Sequence, residues 1–270
     1  MEKPRIEPDR YPLNGTRLYL RVQGEGEPLL LLHGGYSNLT VWNEAAAELK
    51  KFHTVIRFDQ RGYGKSDPVN TPYSAYEDIR AVLDHLQVER TTIMASSFGG
   101  SAAIDFALAY PERVNKLVLI APSLNGEKYP FRLTWEGIAD FLRVKRHGMD
   151  KAAECFMEKP FWSYLIPFED ESRQQLKRLY LDNVVFFYQG KPSLHRPLLP
   201  LAASRLGELA CPVLIVEGER DLPFNRQVCA KLERGISGAA RIRMDGCGHY
   251  PHLEAPDRLL SSVLPFLVPS

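Results

Sequence analysis

The sequence predicts an α/β fold, with a mostly parallel central sheet, helices on both faces and an inserted helical cap. Short apolar runs alternate with segments of helical periodicity, which is the pattern of parallel strands joined by helices. The alternation stops between residues 122 and 205, where helical patterns and aromatic residues replace it, and then resumes. The length of 270 residues allows a core domain that carries an insertion. We therefore expect a core domain from residues 1–121 and 206–270, and a cap (lid) from residues 122–205.

The first part of the chain supplies five predicted strands and three predicted helices. Residues 17–22 alternate between apolar and polar side chains, whereas the apolar run 29–32 is typical of a strand buried on both faces. Further strand-like segments follow at residues 54–58, 91–94 and 114–120. Helices are predicted at residues 40–50, which are rich in Ala, Glu and Leu, at residues 74–86, where apolar residues recur at helical spacing, and at residues 99–109, which precede Pro111.

After the cap segment, the same alternation predicts the remaining elements. A strand is expected at residues 213–216, a helix at 225–234, a strand at 240–244 and a closing helix at 256–266. The carboxyl ends of all the parallel strands meet at one edge of such a sheet, where open α/β folds bind their ligands. Chemistry is therefore expected in the loops that follow the strands.

Composition excludes several functions. The chain has 34 Lys and Arg against 33 Asp and Glu, a net charge of +1, so it lacks the basic footprint of a nucleic-acid-binding protein. No stretch approaches the roughly 20 apolar residues of a membrane helix, and residues 1–15 lack the apolar region of a secretory signal. The four cysteines form no CxxC pair, which favours free thiols. We expect a soluble cytoplasmic protein, monomer or homodimer, with no nucleic acid or membrane partner.

A serine lies at the predicted turn between strand 91–94 and the following helix. Ser96 and Ser97 both lie there, and a nucleophilic serine on such a turn needs small residues two positions before and after it. For Ser97 these positions hold Ala95 and Gly99. For Ser96 they would hold the large Met94 and Phe98. The sequence therefore favours Ser97 as the catalytic residue, although a serine-rich helix start after a strand is the simpler alternative.

A glycine-rich loop, His33-Gly34-Gly35-Tyr36, follows strand 29–32. Such a loop can turn a backbone N–H toward a developing oxyanion, and the second donor is the N–H of the residue after the nucleophile. Gly35 and Phe98 are therefore the predicted oxyanion hole. An ordinary turn is the alternative, and His33, within the turn, is interpreted as a structural hydrogen-bonding residue.

Two later loops supply an acid and a base. Asp221 ends the run Glu217-Gly218-Glu219-Arg220-Asp221 after strand 213–216, and is preferred over Glu217 and Glu219 as the carboxylate that orients a histidine. His249 follows Gly248 after the last strand, whereas His252 lies nearer the closing helix and is interpreted as structural. Ser97, Asp221 and His249 follow the Ser, Asp, His order of one hydrolase architecture, and each comes directly after a predicted strand.

These motifs resemble the α/β-hydrolase superfamily over almost the whole chain. The matching segments are residues 30–35 (LLLHGG), 59–66 (DQRGYGKS), 96–100 (SSFGG), 217–221 (EGERD) and 246–254 (GCGHYPHLE). The resemblance implies that Asp59 and Arg61 are structural. The sequence departs from the pattern at Ala95, where glycine is usual, and at Ser96, where histidine is common. A serine nucleophile excludes the members of the fold that place aspartate there, such as haloalkane dehalogenases and epoxide hydrolases.

The resemblance implies a serine hydrolase of the carboxylesterase or lactonase type, acting on small to medium, largely apolar substrates without metal or cofactor. The aromatic residues suggest an apolar pocket, for which the candidate lining residues are Tyr36, Trp135, Trp162 and Phe187, although packing of the cap explains many aromatic residues equally well. Two alternatives stay open. One is a C–C bond hydrolase of ring-cleavage products, and the other is a ligand receptor that retains a hydrolase triad.

Overall fold

The computed structural model describes residues 8–267. Predictions that fall on residues 1–7, the first part of the segment examined for a secretory signal, lie outside the described residues, as do those that fall on residues 268–270. An eight-stranded sheet forms the centre of the molecule. The strands are Asp9–Leu13 (β1), Thr16–Gln23 (β2), Glu27–Leu32 (β3), His53–Phe58 (β4), Thr91–Ser96 (β5), Val114–Ile120 (β6), Val213–Gly218 (β7) and Ala240–Met244 (β8). Their order across the sheet is β1-β2-β4-β3-β5-β6-β7-β8. The pairs β1·β2 and β2·β4 are antiparallel, and the other five pairs are parallel.

The helices cover both faces of this sheet. They are Asn43–Leu49 (α1), Ala75–His85 (α2), Phe98–Ala109 (α3), Phe131–His147 (α4), Met149–Glu158 (α5), Asp170–Asp182 (α6), Val184–Gln189 (α7), Pro223–Gly235 (α8), Pro251–Glu254 (α9) and Pro256–Leu267 (α10). Side chains alternate across each strand, so Leu30 and Leu32 pack with α2, α3 and α8, whereas Leu29 and Leu31 pack with α1 and α10. The predicted mostly parallel sheet with helices on both faces is confirmed.

The sequence predictions missed one strand and were wrong about the start of one helix. Strand β1 was not predicted, because it is an exposed edge strand that carries Pro12, a residue tolerated only at such positions. The predicted helix at residues 40–50 begins as a 3-10 turn, Leu39–Trp42, whose start is capped by the Asn38 side chain, and becomes α-helical only at Asn43. The shorter predicted strands extend by one or two residues at their ends.

The chain reverses direction across the sheet between β3 and β5. Strand β4 lies on one side of β3, whereas β5 lies on the other, so the loops that leave β3 and β5 diverge and open a crevice at the carboxyl edge. The loop after β3 carries Gly34 and Gly35, and β5 ends at Ser96, directly before Ser97. The topology therefore brings the two sequence motifs side by side.

The segment between β6 and β7 holds α4 to α7 and contains no strand, and all of it lies in the described range. Several hydrogen bonds tie it to the core, and these include contacts with Tyr73 and His249. The Tyr73 N–H donates to Leu194 O (3.1 Å) and the Arg196 N–H donates to Tyr73 O (2.8 Å). The His249 N–H donates to Tyr164 O at 2.8 Å. Within residues 8–267, no helix combines the length and the apolar character needed to cross a bilayer.

Candidate active site

Ser97 lies on a strained turn between β5 and α3. Its backbone angles, φ 49° and ψ −118°, fall in a region that residues other than glycine rarely adopt. Neighbouring backbone holds this conformation, because the Ser97 N–H donates to Ile120 O (3.1 Å) and Ser97 O accepts from Ser123 N (2.9 Å). The turn projects the hydroxyl out of the sheet edge, as a nucleophile requires.

Close approach of backbones explains the small residues around this turn. A Cβ atom added to Gly34 would lie 2.8 Å from Ser97 Cβ, and one added to Gly99 would lie 2.5 Å from His33 O. Side chains at these positions would push the loop after β3 away from the serine. By contrast, a Cβ on Gly35 would meet no atom within 4 Å, so the loop faces open space at that residue.

The three residues singled out from the sequence form a chain of hydrogen bonds. His249 Nε2 lies 2.9 Å from Ser97 Oγ, and His249 Nδ1 lies 2.8 Å from Asp221 Oδ2. His249 and Asp221 are buried, with exposed fractions of 6% and 4%. Asp221 also accepts hydrogen bonds at Oδ1 from the Leu222 N–H and from Asn225 Nδ2, both at 2.7 Å. The carboxylate is thereby fixed with one oxygen directed at the imidazole.

This arrangement suits a nucleophile, a base and a group that orients the base. With the imidazole proton on Nδ1, that nitrogen donates to Asp221, and Nε2 is left to accept the Ser97 hydroxyl proton. A buried carboxylate beside the ring stabilises the imidazolium that forms when the serine attacks. The site can therefore activate a hydroxyl for attack on an electrophilic carbon.

The loop that carries His249 is held by a second carboxylate. Glu254 accepts hydrogen bonds from the Gly248 N–H (2.9 Å) and the Tyr250 N–H (3.3 Å), on either side of His249. Arg220 pairs with Glu254 at 2.7 Å and also donates to Gly246 O at 2.7 Å. Because Arg220 precedes Asp221, one network fixes both the acid loop and the base loop.

The two predicted oxyanion donors belong to residues next to the packed turn: Phe98 follows Ser97, and Gly35 follows Gly34, which packs against Ser97. None of the hydrogen bonds formed among residues 8–267 uses the N–H of Gly35 or that of Phe98, the first residue of α3, as a donor. The Tyr250 hydroxyl donates to Gly35 O at 2.7 Å and so fixes the orientation of that residue. Tyr250 is 1% exposed. Tyr250, the residue after His249, thus holds the loop that carries one of the predicted donors.

The other polar residues of the motifs after β3 and β4 form hydrogen bonds or ion pairs that stabilise the loops. Burial lowers the pKa of His33 to about 4, and the neutral ring accepts from the Gln60 N–H (2.9 Å) and contacts Gly34 O (2.8 Å). Asp59 accepts from the backbone N–H groups of Leu39 and Lys65, whereas Arg61 forms a buried ion pair with Asp78.

The two rejected carboxylates lie away from the histidine. Glu217 pairs with Arg241, and Glu219 pairs with Arg243, each at 2.8 Å or less. Neither has a hydrogen bond to His249, whose carboxylate partner is Asp221. In the described part of the chain, no group of three or more His, Cys, Asp or Glu side chains has the arrangement of a metal site.

Three of the four aromatic residues proposed for the pocket meet in one cluster. The Tyr36 ring lies 5.6 Å from that of Trp162 and 6.0 Å from that of Phe187. Burial raises the pKa of the Tyr36 phenol well above its ordinary value. Trp135 is not brought into this cluster: it lies on the outward side of α4, 56% exposed, and its ring stacks on Phe131.

Sequence reasoning missed several residues around the triad. Asn225 donates a hydrogen bond to Asp221, whereas Tyr250 donates to Gly35 O and Glu254 accepts from the Gly248 N–H. The rings of Tyr63 and His195 contact Phe98, with ring centroids 6.1 and 5.4 Å apart. The spacing of Asn225, one helical turn after Asp221, was a usable signal, because α8 begins there. No local pattern links Tyr250 to Gly35, 215 residues away.

Comparison with known proteins gives consistent results. A sequence profile described as the alpha/beta hydrolase family matches residues 29–261. A 2-hydroxy-6-oxononadienedioate/2-hydroxy-6-oxononatrienedioate hydrolase from Cupriavidus pinatubonensis is 29% identical over 265 residues, covering 93% of this chain and 90% of that protein.

Solved structures show the same fold. An enol-lactonase from Burkholderia xenovorans aligns with a TM-score of 0.76 at 20% identity, covering 96% of this chain and 99% of that one. An esterase from Rhodococcus aligns with a TM-score of 0.78 at 23% identity, covering 94% and 95%. At these identities, the likeness concerns the fold.

The burial of the His252 ring predicts a pH dependence of stability. It stacks on Trp42 at 4.3 Å, and burial, aided by the neighbouring His249, lowers its pKa from 6.5 to about 3. Below about pH 6.5 the unfolded chain binds a proton that the folded chain does not accept, so acidification favours unfolding. Through this histidine, acidification from pH 7 to pH 5 should lower the free energy of unfolding by on the order of 2 kcal/mol.

The variant His252→Phe retains a stacking ring and removes the titration. Urea unfolding at pH 7 and pH 5 should show that the wild type loses more stability on acidification than His252→Phe, by that amount. Equal losses in the two proteins would contradict the assignment of a buried neutral His252.

Proposed function

The chain belongs to the alpha/beta hydrolase family, and from this we propose that it is a serine hydrolase that cleaves carboxylic ester or lactone bonds. Its substrates are small to medium and largely apolar, and the reaction proceeds through an acyl-enzyme. The observation that carries the proposal is the hydrogen-bonded series Ser97, His249 and Asp221 at the carboxyl edge of the sheet.

In the proposed reaction, Ser97 Oγ attacks the substrate carbonyl while His249 Nε2 takes the hydroxyl proton. His249 then gives that proton to the leaving alcohol, and the C–O bond breaks to leave Ser97 acylated. Water enters, loses a proton to His249 and attacks the acyl-enzyme. His249 returns that proton to Ser97 Oγ as the bond between the acyl carbon and Oγ breaks, which releases the carboxylic acid and restores the serine. Asp221 orients the imidazole and stays ionised throughout.

The tetrahedral intermediates carry negative charge on the former carbonyl oxygen. We assign the N–H groups of Gly35 and Phe98 as its donors, since Phe98 follows Ser97, Gly35 follows the glycine that packs against Ser97, and neither N–H has another acceptor among the described residues. Each donor of this kind typically contributes about 2.7–4 kcal/mol to the stabilisation of the transition state. The contact between Tyr250 and Gly35 O pre-orients one of these donors.

The aromatic rings that contact Phe98 and His249 favour an apolar, neutral substrate. The rings in contact with Phe98 belong to Tyr63 and His195, and burial lowers the pKa of His195, which favours its neutral form. The rings in contact with His249 belong to Tyr164 and Tyr250. We propose that residues 122–205 act as a cap that supplies part of this lining, since Tyr164 and His195 both belong to it.

A second candidate is a C–C bond hydrolase of ring-cleavage products. It is favoured by the name of the Cupriavidus relative, which aligns with 93% of this chain. The same serine, histidine and aspartate would serve that reaction. The substrate of that relative is a dioate, whose two carboxylates would find no cation among the four rings that contact Phe98 and His249.

A substrate comparison separates the two candidates. We expect p-nitrophenyl butyrate and an apolar lactone to be hydrolysed with a kcat/KM at least about tenfold above that for a dienedioate ring-cleavage product, because burying an unpaired carboxylate costs more than 1.4 kcal/mol. Absorbance assays measure all three. Preferential cleavage of the dienedioate would select the C–C hydrolase instead.

Two adjacent serines provide a matched pair for the nucleophile. Ser97→Ala should lower the kcat for p-nitrophenyl butyrate by about 10⁴-fold or more, because the group that forms the covalent intermediate is lost. Ser96→Ala should retain kcat within about tenfold, because the buried Ser96 hydroxyl has no hydrogen-bond partner among residues 8–267 to lose. Comparable losses in both variants, or multiple turnovers by Ser97→Ala, would overturn the assignment.

The Tyr250 hydroxyl is expected to act on kcat. Tyr250→Phe removes its hydrogen bond to Gly35 O, which is worth about 0.5–1.5 kcal/mol, so kcat should fall roughly two- to tenfold while KM changes little. Tyr110→Phe is the control, because it removes a hydrogen bond of the same length, to Glu77, on another part of the chain. An unchanged kcat, or an effect confined to KM, would refute the positioning role of Tyr250.

A further inference from the structure

Helix α4 carries an exposed apolar stripe. Four large side chains, at spacings of four, three and four residues, are 82%, 56%, 49% and 58% exposed, and they are Phe131, Trp135, Ile138 and Leu142. At 100° per residue these positions fall within a sector of roughly 60° on one side of the helix. Large apolar residues aligned in this way on a surface mark a site of interaction.

The stripe is distinct from the side of α4 that packs on the protein. Val144 and Asp140 are fully buried, and the Phe141 ring lies 4.9 Å from that of Phe186. The inward side also approaches the loop after β3, since a Cβ on Gly137 would lie 4.0 Å from the Tyr36 hydroxyl. The helix therefore has two apolar sides, and the described residues cover only one of them.

The charges around the stripe are predominantly basic. The groove beside Leu142 holds two acidic side chains, Glu154 and Glu158, against four basic ones, Arg143, Arg146, Lys151 and Lys159. Residues 128–147 include four exposed basic side chains, and these are Lys128, Arg132, Lys145 and Arg146. Both acidic residues of this segment are sheltered in ion pairs, Glu136 with Lys159 and Asp140 with Arg143. An exposed apolar side with Trp, Phe and Leu, bordered by Lys and Arg, is the pattern of helices that lie in the surface of an anionic membrane.

The same charges argue against a second copy of the chain as the partner that covers the stripe. Two α4 helices packed antiparallel along the stripe would bring Arg132 of one copy near Lys145 and Arg146 of the other. No exposed acidic side chain of residues 128–147 would compensate this repulsion. We propose that α4 docks, through this stripe, onto an anionic lipid surface, with the apolar side chains inserted and the basic ones at the headgroups.

The proposal does not depend on the reaction catalysed and needs no spanning helix. It revises the expectation from composition that the protein has no membrane partner, because a balanced overall charge conceals a local basic segment.

Intrinsic fluorescence provides a direct test. Trp135 is 56% exposed, whereas Trp42 and Trp162 are at most 1% exposed, so a change in emission on binding reports on the stripe. Vesicles of phosphatidylglycerol and phosphatidylcholine should shift the emission to the blue, and high salt should weaken the effect. Pure phosphatidylcholine vesicles should leave the emission unchanged.

Matched variants distinguish binding through the stripe from nonspecific adsorption to vesicles. Phe131→Ser with Ile138→Ser should weaken binding to the anionic vesicles by at least about tenfold, because two inserted apolar side chains are lost. Phe52→Ser is the control, because Phe52 is 66% exposed but lies between α1 and β4, away from the cap. Circular dichroism checks that each variant is folded.

Three outcomes would overturn the proposal. They are equal binding to neutral and anionic vesicles, loss of binding in Phe52→Ser as great as in the stripe variant, and an emission unaffected by any vesicle. A blue shift that instead grows with protein concentration in the absence of lipid, and disappears in the stripe variant, would identify a second copy as the occupant.

Discussion

The strained backbone at Ser97 is the constraint on which the rest of the site depends. A non-glycine residue with φ 49° and ψ −118° carries a cost of about 1–3 kcal/mol, which the surrounding structure must offset. Hydrogen bonds to Ile120 and Ser123 hold the turn from the side of β6, and the loop after β3 packs against it from the other side. That packing is possible only because residues 34 and 99 lack side chains. The glycines of two separate motifs thus serve one requirement, a hydroxyl held out from the sheet edge.

The second requirement is that His249 meets this hydroxyl from a loop far along the chain. Glu254 and Arg220 fix that loop internally, and the carbonyl of Tyr164 holds it from the segment between β6 and β7. Tyr250 extends the network to Gly35. The loops that carry Asp221, His249 and Gly35 are therefore linked by hydrogen bonds. The segment between β6 and β7 contacts this network both at His249, through Tyr164, and at Ser97, through Ser123.

Much of this arrangement was predictable from the sequence, because it follows from local steric rules. The apolar runs of β3, β5, β6 and β7 identify buried parallel strands, and the sizes of Ala95 and Gly99 against Met94 and Phe98 distinguish Ser97 from Ser96. Contacts between distant segments were not predictable in this way. The pairing of Tyr250 with Gly35 depends on the final register of loops, and the outward direction of Trp135 depends on which side of α4 meets Tyr36. Strand β1 was not predicted, because an edge strand that contains Pro12 lacks the continuous apolar run of the buried strands.

The proposed mechanism requires that Ser97 becomes covalently acylated during turnover. Rapid mixing of the wild-type protein with a p-nitrophenyl ester, acid quenching and mass spectrometry of the proteolytic peptides detect this intermediate. We expect a mass increase equal to the acyl group on the peptide that contains Ser97, with fragment ions that place it on that residue. An acyl group on Ser96 or elsewhere, or steady turnover with no adduct even when deacylation is slowed by low temperature, would contradict it.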